Sequence, residues 1–148
     1  MSQMHLAVLR RLLHIRRLHE EQAQAALESA QNALHAVRNA QAAAAAEERH
    51  GRSLATDAIA ANSLVDRLSG LQLSAVAHQA HVALSAACNQ AEQVVAEARA
   101  SFLVLRVERR QAESLVIAAE TRETEVTRRR EQQASDDRHR DRMRTRRA

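Results

Sequence analysis

Apolar residues recur along the first third of the chain at alternating steps of three and four. Placing the two inward heptad positions at 6, 9, 13, 16, 20, 23, 27, 30, 34, 37, 41 and 44 collects Leu6, Leu9, Leu13, Ala23, Leu27, Ala30, Leu34, Val37 and Ala44. That alternation is the seam of a left-handed coiled coil. Arg16, Glu20 and Gln41 interrupt it, and the first two stand four residues apart, close enough on a helix to pair with each other. A second register runs through Leu73, Ala77, Ala80, Leu84, Ala87, Ala91, Val94, Ala98, Ser101, Leu105, Ala112, Leu115, Ala119 and Val126, broken at Glu108 and Arg122.

Between the registers lies GRSLATDAIAANSLVDRLSG, where the apolar phase is lost and both glycines of the chain, Gly51 and Gly70, are found. Ser63 with Asp66, and Ser69 with Gln72, have the spacing of a capping box, so a helix can restart at either place. The pattern predicts an all-α fold, two long helices forming an antiparallel coiled-coil hairpin over residues 1–148. Arm 1 is expected over about 3–60, the bend at about 51–72, arm 2 over about 72–140, and a frayed basic tail over about 128–148. Each arm of roughly 60 residues would be about 90 Å long. The alternative is one nearly continuous helix that dimerises in parallel.

Composition strengthens the helical reading. The 148 residues include no Pro, two Gly and a single aromatic, Phe102. Alanine supplies much of the 45% hydrophobic content, favouring helix while burying little area per residue, so a wide core is not expected. Charge separates hairpin from continuous helix. Residues 1–19 carry four arginines and no acid; residues 20–127 carry nine arginines and fourteen acids; residues 128–148 carry nine arginines and four acids. A hairpin brings the two basic ends to one pole and leaves the body acidic, as suits an adaptor between two different partners. All 22 basic residues are Arg, a feature that carries no functional weight here.

The arginine-rich end, RRREQQASDDRHRDRMRTRRA, raises the possibility of nucleic-acid binding. Glu131, Asp136, Asp137 and Asp141 are interleaved with its arginines, however, and no aromatic is present to stack on a base. An acidic protein surface suits that mixture better. Pairs such as Glu125–Arg129 and Asp136–Arg140 can support helix weakly where the seam has run out.

Other chemistry is sparse. His78 and His81 lie on one helical face, but no third ligand stands at a useful spacing, and Cys88 is a full heptad away. Cys88 is the only cysteine and reads as a small, half-buried helix residue; a reducing compartment fits it better than an exported one. No HExxH motif, phosphate-cradling glycine loop or cysteine pair occurs, and a slim hairpin offers no concavity in which to perturb a catalytic group. Neither enzymatic activity nor a metal or cofactor is expected. No apolar run approaches the roughly 20 residues of a membrane span. The first nineteen residues could pass for a presequence or a membrane-surface helix, but their pattern continues into HEEQAQAALESA without a cleavage-like break.

LAVLRRLLHIRRLHEEQAQAAL at the start, an Ala-rich first arm, and RVERRQAESLV followed by REQQASDDRHRDRMRTRR in the second together resemble the FliJ/YscO proteins, central stalk components of flagellar and virulence type III secretion systems. The likeness covers nearly the whole chain in length, layout and terminal charge, and ERRQAE and EQQASDD are its most particular pieces. It implies a non-catalytic stalk whose terminal helices enter the pore of the hexameric secretion ATPase. The bend side would meet the membrane-embedded export gate, and some members also bind export chaperones. It implies a cytoplasmic place at the inner-membrane apparatus, reached only through partners, and no role for nucleic acid. The expected ATPase-docking residues are Arg10, Arg11, Arg16 and Arg17 with Arg128, Arg129, Arg130, Arg138, Arg140 and Arg142. Leu64, Leu68, Leu71 and Leu73 are the apolar candidates for gate or chaperone contact, with packing as their other reading; the aromatic gate-contacting residues of flagellar members have no clear match. Without that resemblance, the readings left are a generic coiled-coil scaffold or a basic-tailed binder of nucleic acid or membrane surface.

Overall fold

The computed structural model describes residues 2–147, with side chains described for residues 4–145. Two helices, α1 (Ser2–Ala60) and α2 (Leu64–Arg147), pack against each other as an antiparallel hairpin, with no strand among the described residues.

The reversal takes three residues. Ser63 N–H donates to the Ala58 carbonyl at 3.0 Å and Asn62 N–H to the Ile59 carbonyl at 3.2 Å, the paired bonds with which a helix closes on a left-handed residue. That residue is Asn62, at φ 50°, and asparagine enters this region more readily than most. Ser63 then caps α2: its hydroxyl accepts from Asp66 N–H at 3.4 Å and donates to the Asp66 carboxylate at 2.7 Å. The other capping candidate is not used. Ser69 lies inside α2, its hydroxyl returned to the Val65 carbonyl.

Neither glycine belongs to the turn. Both lie within helices and face each other across the hairpin: a Cβ on Gly51 would sit 2.6 Å from Ser74 N and 2.8 Å from the Gly70 carbonyl oxygen, and one on Gly70 would sit 2.6 Å from Ala55 N. Nor is the phase lost in this segment. The alternation continues from Ala44 through Glu48, Gly51, Ala55 and Ala58, all buried. The apolar signal fades only because the seam is made there of small residues and one acid.

Contacts divide the hairpin into two units, Met1–Glu21 with Val104–Ala148, and Gln22–Leu103. The core of the first is Leu6, Leu13, Ala112 and Val116, with Leu9 and Ala119 packed against it. The seam of the second is built from small residues, including Ala23, Ala44, Ala77 and Cys88, with Leu34. Among the described residues no large side chain is fully buried, so each layer contributes modestly; a buried Leu is worth about 1.5–3 kcal/mol and Ala much less. Cys88 is buried on this seam rather than half-buried beside it.

The α2 register differs from the sequence expectation by one residue at every second position. Ala77, Leu84, Ala91, Ala98, Leu105, Ala112 and Ala119 do turn inward, wholly or in part. The positions between them are His81, Cys88, Val95, Phe102, Arg109 and Val116, each one residue beyond the expected Ala80, Ala87, Val94, Ser101, Glu108 and Leu115. Leu115 is 53% exposed and Val116 only 6%. Arg122 and Val126, also assigned to the register, are exposed. α2 continues through the basic end to Arg147; past Gly70 it contains no glycine or proline and many good helix formers.

Candidate functional site

The first unit gathers the two basic segments of the chain, and the structure divides their arginines into two groups. In the first turns of α1, Arg10 donates to Glu120 at 2.8 Å and Arg17 to Glu113 at 3.4 Å, and Arg16 pairs with Glu108. Arg109 of α2 returns the favour to Glu20 at 2.7 Å while also holding Glu113 at 2.6 Å. The two charged interruptions of the α1 seam, Arg16 and Glu20, therefore do not pair with each other. Each crosses to α2, because both inward positions face the opposite helix and its side chains are the nearer partners. Arg109 and Glu20 are the best sheltered pair, 21% and 16% exposed, and hydrogen bonding to Glu20 holds the Arg109 guanidinium pKa above its ordinary range. Of the four expected docking arginines in α1, Arg11 has no ion pair among the described residues.

The α2 segment beyond Glu123 is different. From Thr124 to Thr145 every side chain is exposed, since this stretch outruns the start of α1. Arg128, Arg129, Arg130, Arg138, Arg140 and Arg142 all lie on it. Their contacts are local: Arg138 donates to its own helix at the Ala134 carbonyl, and Arg140 stands 3.8 Å from Asp137. The expected pairs Glu125–Arg129 and Asp136–Arg140 are not among the ion pairs formed. The segment is a bare basic helix with guanidinium groups on all sides.

At the turn, Leu64, Leu68 and Leu71 are 68%, 58% and 50% exposed. Leu73 is partly buried. Ile59 and Val65, not singled out from the sequence, are exposed beside them; their signal was available as apolar residues immediately flanking the capped turn. The turn end of the hairpin thus displays apolar side chains, with the exposed charges of Asp66 and Arg67 between them.

Polar side chains lie both on the seam of the second unit and along its edge. Glu48 is buried and accepts from Arg52 and from His78 Nδ1, the latter at 3.2 Å. Arg38 donates to Glu92 at 2.7 Å, and this bond, with a smaller contribution from the Cys88 sulfur, raises the Arg38 pKa. His78 is thus tied to Glu48, and among the described residues no group of three side chains is placed to hold a metal. No helix among them is long and apolar enough to cross a membrane. No protein-family model, curated protein or solved structure matches this chain.

Proposed function

We propose that this protein is the non-catalytic central stalk of a type III protein secretion apparatus, flagellar or virulence-associated. The observation that carries the reading is the bare basic end of α2, helical and yet unpacked on every side. A helix polar all round gains little from its own chain and is suited to a partner that surrounds it. The central pore of a hexameric ATPase is such a partner, and acidic pore walls would match its charge. The paired arginines of α1 have a second role in this scheme: by fixing α1 against α2 they hold the base of the emerging helix. The exposed leucines at the turn meet the export gate or an export chaperone, and the protein reaches the cytoplasmic face of the membrane through those partners.

The test is reconstitution with the cognate hexameric ATPase. Hydrolysis should rise on adding the chain, because a helix seated asymmetrically in a ring favours some subunit interfaces over others. Reversing Arg128–Arg130 to Glu should slow association and flatten its salt dependence while leaving the circular dichroism unchanged. An ATPase rate indifferent to well-folded chain would count against the stalk. Tight binding to duplex DNA, with the steep salt dependence of counterion release, would instead make the tail a nucleic-acid grip.

A further inference from the structure

The first turns of α1 carry two ladders of apolar residues at steps of three and four, and α2 covers only one. Leu6, Leu9 and Leu13 face α2. Val8, Leu12 and Ile15 form the second ladder, 61%, 37% and 41% exposed, with the same spacing as a coiled-coil seam.

The flanks of the covered seam are unlike. On one, Arg10 and Arg17 reach Glu120 and Glu113 and close the edge. On the other, where the antiparallel register places Leu12 of α1 beside Leu115 of α2, the edge is open. A groove of about 410 Å³ lies along it, with Leu9 and Ala119 at its floor and Leu115 and Arg122 among its walls. A groove between two antiparallel helices, bordered by a second heptad ladder, has the shape that a third helix fills.

We infer that this open face binds an amphipathic helix of another protein, whose apolar seam is flanked by Asp and Glu. The charge on the rims selects that occupant. Arg11, set between Val8 and Ile15 on the helix surface, and Arg122 on the groove wall have no ion pair among the described residues. Of the acids along this edge, Glu108 is already taken by Arg16. Glu123 lines the far end of the groove, and residues 1–19 supply no acid at all. Apolar floor and cationic rims call for an apolar seam with anionic flanks. A second copy seated through the same face would set Arg11 and Arg122 against cations of its own kind. A membrane surface would need a broader apolar face than one ladder. This inference does not depend on the docking of the basic tail, which uses a different part of α2.

Two synthetic four-heptad peptides test it, both with leucine on the seam, one with Glu on the flanks and the other with Lys. Titrated with the full-length protein by fluorescence anisotropy, the Glu peptide should bind, more weakly as salt rises. Leu12→Asp and Leu115→Asp should each weaken it by about tenfold or more, with the thermal transition kept. Val8→Asp, at a more exposed position, provides the same reading should Leu12→Asp loosen the fold. Arg11→Glu combined with Arg122→Glu should transfer preference to the Lys peptide. Failure to bind either peptide, equal binding of both, or binding indifferent to these substitutions would overturn the inference. So would concentration-dependent dimerisation, or recruitment to anionic vesicles, that Leu12→Asp abolishes, since a second copy or a membrane would then be the occupant.

Discussion

A methyl group added to an exposed helical glycine ordinarily stabilises a helix by about 1 kcal/mol. At Gly51 and Gly70 the sign should reverse, because the new Cβ would lie 2.6 Å from backbone nitrogen of the facing helix, and backbone cannot rotate out of the way. Gly51→Ala and Gly70→Ala should each cost about 1–3 kcal/mol, the usual range for overpacking, measured as a lower urea midpoint; a raised midpoint would show that the helices separate there at no cost. From sequence both glycines look like turn residues, since glycine serves a tight turn and a close helix approach equally well. Among the described residues other than glycine only Asn62 takes the left-handed conformation, and in the sequence its one signal is its place directly before the Ser63 capping box. Charged side chains on the seam allow a second comparison. Arg109 shelters against two carboxylates whereas Arg17 sits in an exposed edge pair, so Arg109→Ala should lower the melting temperature more than Arg17→Ala. With its pKa raised, Arg109 remains charged throughout the neutral range. The stability it contributes is present below the ordinary arginine pKa and is lost only as pH climbs through the raised one, so no loss from this group is expected on titrating from pH 6 to 9.

At the level of the helices, the paired substitutions Leu115→Asp and Val116→Asp separate the expected register from the observed one. Val116 is buried in the core of the first unit with Leu6, Leu13 and Ala112. An aspartate there puts an unpaired charge into an apolar layer, at a cost of about 3 kcal/mol or more. Leu115 is more than half exposed, and Leu115→Asp should stay within about 0.5 kcal/mol of wild type. Thermal melts followed by circular dichroism measure both; equal losses would return the seam to Leu115. The α1 register was readable because its phase runs on from Leu6, Leu9 and Leu13 through Ala23, Leu27 and Leu34, whereas the competing ladder of Val8, Leu12 and Ile15 gives way to His19 and Gln22. In α2, alanine occupies so many positions that two phases score alike, and Leu115 draws the choice away from Val116. The true alternate positions include His81 and Arg109, residues that hydropathy counts against a seam although their long or flat side chains pack there in part. The same limitation hid the seam from Glu48 to Ala58, where the heptad persists without apolar bulk. The helical hairpin itself was legible, since composition, absence of proline and the long α1 periodicity all agree on it.

For the molecule as a whole, the question is what the end of α2 contributes to the protein that carries it. A side chain exposed on all sides forms no seam, and the exposed stretch begins as soon as α1 runs out of partners, past Glu123. Its helix rests on propensity and weak local pairs such as Arg140–Asp137, each worth a few tenths of a kcal/mol at most. The sequence made its charge plain but not its order, because composition alone cannot say whether a polar, arginine-rich segment stays helical. Truncation after Thr127 should therefore leave the unfolding midpoint of the rest of the hairpin nearly unchanged, within about 0.5 kcal/mol, while the mean helical signal falls by the residues removed. The same truncation removes nine arginines and four acids, and with them the charge that the proposed ring would recognise. ATPase stimulation should then be lost from a protein that still folds, and binding of the acidic seam peptide to the open face of α1 should survive. If truncation instead lowered the unfolding midpoint substantially, the tail would be part of the fold, and its exposure along the whole length of the segment would need another explanation.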